Sequence, residues 1–111
     1  MTLTEEEMLA TIKDTIASNT IAVFMKGTPT HPKCGFSAAV VDILNGLGVP
    51  YKGVDAIEDP RFRHVLSAHT QWPTLPQVFV GGKLIGGCDI VREMKASGEL
   101  DRVVAQAVAE P

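Results

Sequence analysis

The sequence predicts an α/β protein built on a mixed four-stranded sheet with helices on both faces. Three observations lead there. Apolar residues recur at intervals of three and four in stretches spread along the chain, the mark of one-sided helices. Between them stand short β-rich runs, and two of these flank Gly81-Gly82 as a hairpin would. The resulting order is α-β-α-β-α-β-β-α-α. A βαβ unit followed by a hairpin requires both parallel and antiparallel neighbours, hence a mixed sheet. At 111 residues, with no linker, repeat or low-complexity tract, residues 1–111 read as one domain.

Taken in order, residues 5–18 place Met8, Leu9, Ile12 and Ile16 on one helical face, and Thr4 with Glu7 forms a capping-box signature. Ile21–Met25 is apolar throughout and reads as a strand buried on both faces. Residues 26–33, with a glycine and two prolines, read as a loop. Phe36, Ala39, Val40, Ile43, Leu44 and Leu47 define the next helix, ended by Gly46, Gly48 and Pro50. Tyr51–Asp55 is a weaker strand because Gly53 interrupts it. Asp59-Pro60 is an N-cap followed by an N1 proline, opening a helix that buries Phe62, Val65 and Leu66. After Trp72–Pro76 come strands at Gln77–Val80 and Lys83–Ile85. A helix around Ile90, Val91 and Met94 is closed by Gly98, and a last one runs through Leu100, Val103, Val104, Ala107 and Val108.

Bulk properties exclude some functions. Net charge is −3, without the basic stripe expected of a nucleic-acid binder. No apolar run approaches the roughly 20 residues of a membrane span. The acidic start, Glu5–Glu7, lacks the pattern of a targeting segment, which argues for the cytoplasm, with a processed mitochondrial or plastid protein as the alternative. There are two cysteines, Cys34 and Cys88, and three histidines in no local ligand spacing, so a structural zinc site is not expected.

The chemistry centres on Cys34-Gly35-Phe36-Ser37. Cys34 follows a Pro-rich loop at what reads as the first turn of a helix, where free N–H groups and the helix dipole favour a thiolate. Lys26 and Lys33 add positive potential. Where a dithiol motif places its second cysteine there is Ser37. Cys34 therefore completes its chemistry with a thiol or metal from outside the chain. The alternative, a small cysteine at a helix start, fits less well beside a polar loop.

Two further stretches stand out. Pro76 precedes a strand, where a cis Leu75–Pro76 bond would offer the Leu75 backbone to an extended peptide; a trans loop proline is the commoner state and the preferred reading of these residues alone. Gly86-Gly87-Cys88-Asp89 opens a helix whose N–H groups suit a carboxylate, while Asp89 suits an ammonium. Asp89 as a simple helix cap is an equal reading. Cys88 reads as a packing residue, Lys26 and Arg63 as solvated charges, and Trp72 as either core or rim.

Together these segments resemble the monothiol glutaredoxins of the Cys-Gly-Phe-Ser type. The resemblance rests on Phe24–Pro29, Pro32-x-Cys34-Gly35-Phe36-Ser37, Trp72–Gln77, Gly86–Asp89 and Ser97–Leu100 in the same order and spacing. It implies a thioredoxin fold, a cis Pro76 and a glutathione site. By position, Lys26 and Arg63 would bind the glycyl carboxylate, and the Leu75 backbone would pair with the cysteinyl residue. Gly87, Cys88 and Asp89 would hold the γ-glutamyl end, with Thr74 lining the groove and Phe36 supporting the loop beside Cys34.

The resemblance also implies a [2Fe–2S] cluster bridged between two protomers, with Cys34 as its ligand from each chain. Four thiolates are the usual set, so two Cys34 and two glutathione sulfurs suffice; Cys34 with Cys88 from each chain is the disfavoured alternative. The implied role is cluster carriage to acceptor apoproteins, or to a BolA-like partner, by a homodimer. The enzymatic alternative is a weak glutathione-dependent oxidoreductase, in which Cys34 alone removes glutathione from proteins.

Overall fold

The computed structural model describes residues 2–110. Five helices, α1 (Glu5–Ser18), α2 (Gly35–Gly46), α3 (Pro60–Thr70), α4 (Cys88–Ser97) and α5 (Glu99–Ala109), surround a four-stranded sheet. Its strands are β1 (Ile21–Met25), β4 (Lys52–Asp55), β5 (Gln77–Val80) and β6 (Lys83–Gly86), in the spatial order β4-β1-β5-β6. β1 runs parallel to β4 and antiparallel to β5, which pairs antiparallel with β6 across Gly81-Gly82. This is the mixed sheet that the element order demands.

β1 is central because every one of its residues is buried. Its alternation supplies two cores. Ile21, Val23 and Met25 join Val40, Val41 and Leu44 of α2, Val91 of α4, and Leu100 and Val104 of α5 on one face. Ala22 and Phe24 join Met8 and Ile12 of α1 and Phe62 and Leu66 of α3 on the other. Phe24 meets Phe79 edge to face, with centroids 5.7 Å apart, a favoured quadrupole arrangement. The Thr4/Glu7 capping box and the Asp59 N-cap form as their residues predict.

The structure corrects two readings and decides a third. Residues 26–33 are not a plain loop: β2 (Gly27–Thr28) pairs with β3 (His31–Pro32) in a small ribbon. Gly53 does not spoil its strand; a Cβ there would collide with the Pro29 ring, so the glycine lets the ribbon lie against β4. The Leu75–Pro76 bond is cis, as the family resemblance implies and against the trans state preferred from the residues alone.

Candidate functional site

The C-terminal end of β1, the start of α2, the segment before β5 and the start of α4 meet around one groove of about 460 Å³. Lys26, Arg63, Thr74, Leu75, Pro76, Gly87, Cys88 and Asp89 all line it, so the structure brings together the residues singled out from sequence. Phe36, Trp72 and Ile90 complete its wall. Cys34 is not itself a lining residue, but Phe36 two positions on and Lys26, whose charge reaches its sulfur, both are.

Cys34 occupies the N-cap of α2 rather than its first turn, with extended backbone (φ −151°, ψ 139°). Its carbonyl accepts the first helical hydrogen bond, from Ala38 N–H at 2.9 Å. The thiol makes no formal capping hydrogen bond. It nonetheless faces the free N–H groups of the first turn. Those of Ser37 and then Phe36 hold its pKa below the ordinary thiol value, against an opposing desolvation effect and with a smaller contribution from Lys26. The residue is half-buried, so a partner can approach its sulfur.

Ser37 has a structural task. It is fully buried, and its hydroxyl accepts the Lys26 N–H at 3.1 Å. That bond ties the end of β1 to the start of α2, holding Lys26 beside Cys34. Asp55 fixes the same corner: one carboxylate oxygen accepts the N–H groups of Gly27 at 3.2 Å and Ile57 at 3.0 Å.

The opposite wall begins at α4. Its N-cap is Gly87 and no side chain caps it, so Asp89 is not the cap and stands exposed in the first turn. The N–H groups of that turn are left to attract an anion. Gly87 is needed for close approach, since a Cβ there would lie 3.2 Å from the Pro76 carbonyl oxygen. Cys88 is buried at 7% exposure and belongs to the core. Trp72, open between core and rim in the sequence, is half-buried on the groove wall, and its Nε1–H has no partner among the described residues.

The groove is therefore polarised, with Lys26 and Arg63 contributing positive charge and Asp89 a carboxylate, and a backbone segment, Thr74–Pro76, between. Among the described residues no group of three or more His, Cys, Asp or Glu side chains could hold a metal ion. Sequence reasoning missed two residues. The helical spacing assigns Ile90 only to a helix face, yet it is 37% exposed on the groove wall. The sequence pattern assigns Gln77 only to a strand, yet it is a fully buried polar side chain behind the groove. A glutamine opening an otherwise apolar strand was the available signal.

Comparison with known proteins agrees with this geometry. The glutaredoxin family model matches residues 21–85. The chain is 45% identical to glutaredoxin 4 of Pasteurella multocida, over 94% of this chain and 95% of that protein. It is 43% identical to the probable monothiol glutaredoxin 2 of Rickettsia typhi, over 90% of each. The solution structure of reduced poplar apo GrxS14 superposes with a TM-score of 0.84 at 38% identity, covering 95% of this chain and 96% of that one. The crystal structure of a buckwheat glutaredoxin–glutathione complex superposes with a TM-score of 0.82 at 28% identity, covering 96% of each. With its thioredoxin fold and its single-cysteine Cys34-Gly35-Phe36-Ser37 turn, the chain belongs to the monothiol glutaredoxin family.

Proposed function

We propose that this protein, acting as one domain, binds glutathione in the groove beside Cys34 and carries a [2Fe–2S] cluster shared between two protomers. The observation that carries the reading is the lone half-buried Cys34 thiol, with its depressed pKa, beside a groove of opposite charges. Glutathione has a carboxylate at its glycyl end and both a carboxylate and an ammonium at its γ-glutamyl end. Lys26 and Arg63 suit the first. The α4 N–H groups, including that of Cys88 behind Gly87, suit the second carboxylate, and Asp89 suits the ammonium. The Leu75 backbone, presented beside Pro76 and Thr74, would pair with the cysteinyl residue. The glutathione complex of a structural neighbour supports this choice of ligand.

The donor set fits a cluster only if shared. Cys34 is the one accessible thiol, Cys88 is buried, and the described residues of one chain offer no metal cage. Two Cys34 and two glutathione thiolates supply the four ligands such a cluster takes. Phe36, 57% exposed, and Ile90 give the groove an apolar rim that a second copy would cover. The cluster is cargo, passed to acceptor apoproteins or to a BolA-like partner, and the bacterial relatives agree with a cytoplasmic setting.

Anaerobic reconstitution with iron and sulfide, with and without glutathione, tests this reading. We expect a coloured dimer with glutathione and a colourless monomer without it, and no colour from Cys34→Ser. Cluster formation by Cys34→Ser would overturn the assignment.

The depressed Cys34 pKa also favours a second reading, glutathione-dependent thiol exchange. The Cys34 thiolate attacks the glutathione sulfur of a protein mixed disulfide and expels the protein thiolate. A second glutathione thiolate then attacks the Cys34 adduct, releasing oxidised glutathione and regenerating Cys34. Fast turnover of a glutathionylated peptide would place this activity first.

A further inference from the structure

We infer that Gln77 is the positioning residue of the groove, fixing the Thr74–Pro76 backbone at the spacing an extended tripeptide needs; this rests on the glutathione reading above. Gln77 opens β5, pairs with Phe24 of β1 and is fully buried. Its side-chain Nε2 donates to the carbonyl of Trp72 at 2.9 Å and to that of Thr74 at 3.2 Å. Both donors of one neutral amide are thus directed at the segment between α3 and β5. Among the described residues these are the only hydrogen bonds that residues 72–76 make.

The consequence follows from the geometry. The segment has no secondary structure of its own. A buried clamp from the central sheet holds two of its carbonyls inward, on either side of Pro73. Thr74, Leu75 and Pro76 then present a fixed edge to the groove. Without the amide, both carbonyls lose their donor and turn toward water, and the edge shifts. Cys34 lies outside this clamp, because its pKa is set by the N–H groups of α2. Loss of Gln77 should therefore separate ligand affinity from thiol reactivity.

The test measures glutathione binding by calorimetry in wild type and Gln77→Met, alongside the pH midpoint of Cys34 alkylation by iodoacetamide and the circular dichroism spectrum. Wild-type protein that binds no glutathione would overturn the reading of the groove itself. Given wild-type binding, we expect a folded Gln77→Met with about tenfold weaker affinity and an unchanged alkylation midpoint. A folded variant with unchanged affinity overturns the role of Gln77, and so does an equal disturbance of affinity and midpoint. Should Gln77→Met not fold, Gln77→Leu, which likewise has no donor to offer, is read in the same way. If neither folds, Gln77 is a structural residue and the inference falls.

Discussion

At the scale of single residues, Cys34 and Ser37 divide one turn between chemistry and structure. The serine hydroxyl is engaged by the Lys26 N–H and buried, so its position serves the joint between β1 and α2. Sequence showed that Ser37 could not be a second thiol; its hydrogen bond depends on how β1 ends, which no local pattern reveals. Cys34 titrates below an ordinary thiol, chiefly because of Ser37 and Phe36 N–H and only secondarily because of Lys26. Alkylation by iodoacetamide should therefore show a midpoint below that of a free cysteine. Lys26→Gln should raise it only slightly, and an upward move to the free-thiol value would show that the lysine, not the helix start, sets it. A depressed folded-state pKa also stabilises the fold relative to Cys34→Ser. That contribution is full above the unfolded-state value and disappears as pH falls through the folded-state one.

At the scale of elements, helices and buried strands were legible because their residues repeat with the period of the structure they form. Met8 and Ile12, or Phe62 and Leu66, face the core that their spacing predicts. The β2–β3 ribbon was not legible, because its two-residue strands are too short for any period and Gly53 looked like a flaw. The contact with Pro29 reverses that interpretation. Gly53 has no unusual backbone angle, so alanine there tests the contact without adding backbone strain. Gly53→Ala should destabilise the protein by roughly 1–3 kcal/mol, the usual range for overpacking. Thermal unfolding measures it, and an unchanged midpoint would mean that Pro29 can withdraw freely. The ribbon leads directly into Cys34, so alkylation of the same variant reports whether the displacement reaches the thiol.

At the scale of the whole molecule, the groove exists because distant segments meet at one end of the sheet's strands. Lys26 follows β1, Arg63 lies on α3, Leu75 precedes β5 and Asp89 opens α4. Sequence alone offered these as separate charges and turns; the family resemblance gathered them, and the fold brings them to one site. Their separation in the chain makes their energetics testable. If Lys26 and Asp89 grip opposite ends of one extended ligand, neither depends on the other for its position. Lys26→Gln and Asp89→Asn should then each weaken glutathione binding by about tenfold, near 1.4 kcal/mol. The double variant should lose close to the product, since distant groups with no shared partner act additively. Calorimetry on the four proteins closes the cycle. A double variant no weaker than either single one would mean that both charges serve the same end of the ligand, and the proposed orientation would have to be abandoned.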